Sequence, residues 1–155
     1  FAHDSIIPCC KPVQVENGNW KTIARMWKKG DEVEISLDMR GRLLKRNGYQ
    51  AIVRGPVVLA RDSRFNDGFV DESSVVQVKD GFVELLPLQN KPENMWMAFT
   101  APLVLGTDLE GETRNPKQVG FCDFGSAGNT WKEGTRYRVW LPETLNAMKT
   151  DYKGY

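Results

Sequence analysis

The sequence predicts an all-β protein: an antiparallel β-sandwich, jelly-roll-like, with about eight or nine short strands. Three observations point there. Short apolar or alternating stretches recur along the 155 residues, with Gly, Asp, Asn or Pro between them. The longest apolar run, Gln50 to Ala60, is rich in β-branched residues, too short to span a membrane and poorly suited to a helix. No amphipathic stretch reaches the length of a major helix.

Taken in order, residues 1–12 carry Pro8, Cys9, Cys10 and Pro12 without a period and are expected to be a lead-in or tail. A single β-sandwich domain is expected over residues 13–142. Trp20, Thr22, Ala24 and Met26 share one face against Lys21 and Arg25, and Val33, Ile35, Leu37 and Met39 alternate with Glu32, Glu34, Ser36 and Asp38. Around the turn signal Lys29-Gly30-Asp31 these stretches predict a hairpin with one wet face. Residues 40–48 are basic and glycine-punctuated and lead into Gln50–Ala60. Both faces of that run are apolar, which calls for a central strand. Arg54-Gly55-Pro56 interrupts it, and Pro56 lacks an N–H, so a bend between two sheets is expected. Arg54, charged in an apolar strand, is expected to meet a carboxylate or backbone carbonyls.

The polar loop 61–73 contains the tight turn Asn66-Asp67-Gly68 and is where a seam in the domain would fall. Val75–Val78 and Phe82–Leu86 around Asp80-Gly81 predict a second hairpin. Met95–Leu105 predicts a strand, interrupted by Pro102, in which Trp96 packs inside; Trp20 is likewise assigned to the core. Val119–Phe124 and Arg136–Leu141 are the last strands, separated by the polar loop Gly125–Thr135. Residues 143–155 read as a C-terminal tail or short helix.

Composition narrows the function. The formal net charge is +1, from 21 basic and 20 acidic residues, and the longest cationic cluster is Lys28-Lys29. That speaks against a nucleic-acid partner. No stretch reaches the roughly 18 apolar residues of a membrane-spanning helix. His3 is the single histidine, which removes a His-based triad or a multi-histidine metal site within this chain. Cys9, Cys10 and Cys122 show no C-x-x-C spacing and do not indicate a redox compartment. The start at Phe1, without Met or an apolar leader, suggests a processed or excised piece.

Five tryptophans invite a carbohydrate reading, because indole faces stack on sugar rings. Trp140 shares the more polar face of its strand with Arg136 and Arg138, and Trp131 ends the small polar loop from Ser126 to Thr130. Trp131, Trp140, Asn129 and Arg138 are therefore the candidate carbohydrate-binding residues. Asp62, Asp67 and Asp71, with Glu72, form an acidic stretch that offers oxygen ligands for calcium, without the spacing of an EF-hand loop. Asp71 and Glu72 are adjacent and on an extended strand point to opposite faces, so they make a poor glycosidase pair.

Several strands carry motifs of a known family. Trp27-Lys-Lys-Gly30-Asp31 followed by Val33, Ile35, Leu37 and Met39 resembles the W-x-x-G-D-x-V-x-L-x-L-x-M hairpin of β-L-arabinofuranosidase-like glycoside hydrolases of the family 127 type. Ala51 to Leu59, with Arg54-Gly55-Pro56, resembles the A-x-x-R-G-P-L-V strand that follows it. Met95–Phe99, Phe121–Trp131 and Arg138–Pro142 are similar to the C-terminal part of Bacteroides-type members. The matches run over residues 20–142. The resemblance implies structural roles for Trp27, Gly30, Asp31, Arg54, Gly55 and Pro56. It also implies that this chain is an accessory β-sandwich region without catalytic residues of its own. The reaction of the family is attributed to a separate helical barrel with a cysteine, glutamates and zinc, N-terminal to the β-modules. The implied partner is that barrel of the same gene product, with plant-type arabinose-containing glycans as ligands and a periplasmic or secreted setting. No cofactor is expected in this chain. Cys9-Cys10 matches the family's adjacent cysteines, but the upstream glutamate and cysteine of that pattern are missing, so ordinary thiols are expected there. The alternative reading is an autonomous carbohydrate-binding module using exposed tryptophans.

Overall fold

A computed structural model describes residues 13–16, 18–106 and 115–144 of the chain. The lead-in 1–12, with Cys9 and Cys10, and the tail beyond Thr144 lie outside the described residues. The chain divides into two compact units, Phe1–Ile35 and Ser36–Tyr155.

The second unit is all-β, as the alternation predicts. Its strands are β1 (Gly41–Arg46), β2 (Tyr49–Arg54), β3 (Val57–Asp62), β4 (Ser74–Val76), β5 (Leu86–Pro87), β6 (Ala98–Leu105), β7 (Lys117–Asp123), β8 (Tyr137–Arg138) and β9 (Leu141–Pro142). They join in one antiparallel sheet of order β1-β2-β3-β7-β6-β4, with β5 on β6, β8 on β3 and β9 on β2. Ile52, Leu59, Val76, Val83, Phe99, Ala101, Leu103, Val119, Phe121 and Leu141 form the main core. Fully burying an apolar side chain of the Leu or Phe type stabilises by about 1.5–3 kcal/mol, so this cluster dominates the stability of the unit.

The central run reverses rather than bends. β2 and β3 form a hairpin with Val53 opposite Val58 and Arg54 opposite Val57. Gly55, at φ 55°, takes the first of the two turn positions, the position and sign of φ that a type II′ turn requires. A proline at the second position loses nothing, because its missing N–H lies outside the ladder. β3 then changes partner along its length. Leu59 and Ala60 pair with Asp123 and Cys122 of β7, and Arg61 and Asp62 pair with Arg138 and Tyr137 of β8. Among the described residues the Arg54 side chain meets neither the carboxylate nor the carbonyls expected of it; its guanidinium lies over the Phe99 ring, 5.1 Å from the centroid. The aromatic quadrupole is the partner.

Residues 40–48 are not a lead-in. They form β1 and the turn into β2, with Asn47 and Gly48 at φ 49° and 76° as a type I′ turn demands. The Asp80-Gly81 turn forms as expected, with reciprocal Lys79–Phe82 backbone hydrogen bonds of 2.9 Å. Its arms then diverge: β4 joins β6, and the Val83 N–H donates to Gly41 O at 2.8 Å.

The first expected hairpin does not form. The Lys28–Asp31 turn closes, with Asp31 N–H donating to Lys28 O at 3.1 Å and Gly30 at φ 95°. Asp31 also accepts from Lys28 N and pairs with Arg25, whose guanidinium lies 5.2 Å from the Trp27 ring centroid. The flanking stretches, however, are not strands, and Val33, Ile35 and Leu37 are exposed. Alternation supplies a strand with an apolar face, but a strand also needs a hydrogen-bonding neighbour. Trp20, assigned to the core, is 98% exposed for the same reason.

At Gly55 a Cβ would lie 2.5 Å from the Met39 sulfur, in addition to the strain of a positive φ. Gly55→Ala is expected to destabilise by about 2 kcal/mol in urea unfolding, and Met39→Ala in the same chain to recover part of that loss. An unchanged midpoint would mean that the turn relaxes without cost.

Candidate functional site

The best-organised polar cluster lies where β3 ends. Asp62 caps the 3-10 turn Ser63–Phe65, its carboxylate accepting from Arg64 N at 2.9 Å. The Arg64 guanidinium returns to the same carboxylate as a fork, Nε to Oδ1 at 2.9 Å and Nη2 to Oδ2 at 2.8 Å. The Asp62 side chain is fully buried and that of Arg64 is 15% exposed. Arg64 also donates from Nη1 to Glu93 O at 3.1 Å and Asn129 Oδ1 at 2.9 Å, and from Nη2 to Ser126 O at 2.7 Å. Gly128 N–H donates to Asp62 Oδ2 at 2.8 Å. Gly128 is at φ 65°, and a Cβ there would meet the Tyr137 ring at 2.6 Å.

A second carboxylate continues the network. Asp123, at the end of β7, caps the turn Phe124–Ser126 and accepts from Ser126 N at 2.9 Å and Met97 N at 3.0 Å. Ser126 Oγ donates to Asp123 Oδ1 at 2.7 Å and accepts from Trp96 N at 2.9 Å. Its hydroxyl is thereby committed as a joint between two loops. Asn129 Nδ2 donates to Asn94 O at 2.7 Å. Residues 62–64, 93–97 and 123–129 are thus linked by side chains where the ladders of β3 and β7 end, at Asp62 and Asp123.

These geometries place the predicted residues as follows. Asn129 has both its oxygen and its nitrogen engaged in the network, so it positions the loop. Trp131, two residues on, is 92% exposed at φ 51°. Trp96, expected inside, is 74% exposed, because β6 begins only at Ala98 and Met95 fills the interior instead. Phe124 is exposed beside the same joint. Arg138 and Trp140 lie elsewhere, on β8 and between β8 and β9, and Arg138 Nε contacts Asp71 Oδ1 at 2.6 Å. A cavity of about 670 Å³ opens nearby, lined by Ser63, Phe69, Asp71, Glu72 and Arg136 among others.

The three carboxylates read as calcium ligands point to three different arginines: Asp62 to Arg64, Asp67 to the buried Arg61, and Asp71 to Arg138. Among the described residues no group of three or more His, Cys, Asp or Glu is gathered as a metal site would need. Cys122 is a buried free thiol, pushed up to about 12 by burial and by the nearby Asp62 and Asp123 carboxylates. It is not a nucleophile at neutral pH.

The sequence held signals for this network that the strand pattern does not use. Asp62-Ser-Arg64 and Asp123-Phe-Gly-Ser126 are Asx-type capping patterns. In comparisons with known proteins, no family model and no curated protein matches the chain.

Burial raises the affinity of the Asp62 carboxyl for its proton, but the Arg64 fork and the Arg64 and Gly128 N–H groups outweigh it and hold the group below the usual carboxylate range. The stabilisation from this depressed value is complete above about pH 4, the ordinary carboxylate range, and is lost as pH falls through the lower folded value. Urea midpoints measured from pH 7 downward are expected to drop below about pH 4, and Asp62→Asn is expected to flatten that acid limb. Identical acid limbs in the two proteins would contradict this assignment.

Proposed function

We propose that the chain is a non-catalytic accessory β-sandwich module of a β-L-arabinofuranosidase-like glycoside hydrolase, supporting a helical-barrel catalytic domain and helping to shape its sugar site. The observation that carries this reading is the uncovered apolar series that precedes β1. Trp20, Ile23, Met26, Trp27, Val33, Ile35 and Leu37 are all exposed. Within the first unit, Trp20, Ile23, Met26, Trp27, Val33 and Ile35 make an apolar series of the kind that marks an interaction surface, and the alternation from Glu32 to Met39 is a pattern for burial. In this reading the cover comes from the neighbouring domain of the same gene product.

The duties of the motif residues support the same reading. Gly30 and Asp31 close a turn, Gly55 and Pro56 reverse β2 into β3, and Arg54 sits over Phe99. Asp123 and Ser126, inside the Phe121–Trp131 motif, join two loops. Residues that resemble a family signature and serve turns and packing suit a module whose chemistry is carried elsewhere.

Two measurements test the proposal. The double variant Ile35→Ser, Leu37→Ser is expected to keep the unfolding free energy within about 0.5 kcal/mol, as exposed positions do, while lowering self-association in sedimentation. A loss of about 2 kcal/mol or more would make these residues core and remove the docking surface. The chain alone is expected to leave aryl β-L-arabinofuranosides intact; turnover abolished by a single carboxylate substitution would overturn the non-catalytic role.

A further inference from the structure

Trp96, Phe124 and Trp131 are exposed on two loops that polar side chains hold rigidly together. Trp96 N–H is fixed to Ser126 Oγ, Asn129 to Asn94 O, and Arg64 bridges Glu93 O and Asn129. Five non-glycine residues among those described have a positive φ; four are Asn or Asp, the types that tolerate it, and the fifth is Trp131. An aromatic residue adopts this conformation at a cost in free energy, and here the ring so placed is almost wholly in solvent. The Trp131 N–H closes the turn onto Gly128 O at 3.3 Å, a bond that does not require an aromatic side chain. Strain of this kind, at an exposed ring on a braced loop, points to a ligand.

The surroundings select the ligand. From Phe124 to Thr135 the loop holds Phe124, Ala127 and Trp131 as its apolar side chains, among Ser, Asn, Thr, Lys and Glu. A protein interface keeps charged groups out of its centre, whereas Lys132 and Glu133 directly follow Trp131. A single-stranded nucleic acid stacks on aromatics within a positive groove, whereas Lys132 is followed by Glu133, and Lys91 lies near Glu93. A sugar ring has an apolar C–H face and a rim of hydroxyls, and needs isolated aromatic faces among polar neighbours.

We infer that Trp96, Phe124 and Trp131 form a stacking surface for a neutral oligosaccharide. The inference stands on these loops alone and not on the accessory role, which rests on the apolar series before β1. Trp140, Arg138 and Asn129 drop out of the site: the first two lie on other elements, and Asn129 braces the loop.

Calorimetric titration of the chain with neutral hexaoses (cello-, xylo-, malto- and α-1,5-arabino-hexaose) tests it. Saturable binding to at least one is expected, insensitive to salt. Trp131→Asn is expected to weaken binding about tenfold, the loss of one stacking contact, while its Tm stays equal or rises because Asn accepts the positive φ. Trp131→Phe should retain binding within about threefold, and Trp96→Ala should weaken it. Trp20→Phe should leave it unchanged. Flat titrations with all four sugars, binding undiminished in both Trp131→Asn and Trp96→Ala, or salt-sensitive binding of a single-stranded oligonucleotide at this surface would overturn the inference. None of these results would alter the outcome of the Ile35 and Leu37 test.

Discussion

The fork between Arg64 and the buried Asp62 carboxylate is the interaction on which the loop end of this molecule depends. A carboxylate taken out of water is costly, and leaving it unpaired costs about 3–5 kcal/mol, so the pair must persist once the fold has formed. Arg64 does more than neutralise. Nε and Nη2 hold Asp62, while Nη1 and Nη2 also reach Glu93 O, Asn129 and Ser126 O. Those carbonyls belong to loops that run beyond the sheet, where backbone partners are scarce. The planar guanidinium takes the place of a neighbouring strand, a role for which a lysine has too few donors and the wrong geometry.

This constraint links the sheet to the exposed aromatics. β3 pairs with β2, β7 and β8 in turn and delivers Asp62 to the point where β7 delivers Asp123. The two carboxylates cap the turns Ser63–Phe65 and Phe124–Ser126, and Ser126 passes the connection on to Trp96. The core below is apolar and conventional. Above it, a polar network of fixed geometry carries Trp96, Phe124 and Trp131 out into solvent. Cys122, next to Asp123 in the chain, is a buried thiol whose pKa is raised by burial and by the Asp62 and Asp123 carboxylates.

Much of the fold was legible in the sequence, because alternation and turn residues are local properties. The Asp80-Gly81 turn and the strands after Ala98 follow from them directly. Asn47-Gly48 is an equally strong hairpin signal, but basic side chains around it hid the edge strand β1. Gly55-Pro56 suits either a bend or a reversal, and only the Val53–Val58 pairing decides between them. The alternation of Val33, Ile35 and Leu37 states that a face is to be covered without stating by what. Trp96 misled because its neighbours are apolar, although the strand starts two residues later. The capping halves of the site, Asp62 with Arg64 and Asp123 with Ser126, are local and readable. The contacts from Arg64 to Asn129 and from Asn129 to Asn94 join distant segments, and no local pattern announces them.

One guanidinium holds three loops as a unit, and amide hydrogen exchange tests this most directly. In the unaltered chain the N–H groups of Trp96, Ser126 and Gly128 should be protected together, well above the exposed loop amides. In Arg64→Lys their protection should fall together, while the β6–β7 ladder around Phe99 and Phe121 stays protected. Protection at those three amides that survives the substitution would show that the loops are held by something other than the Arg64 fork.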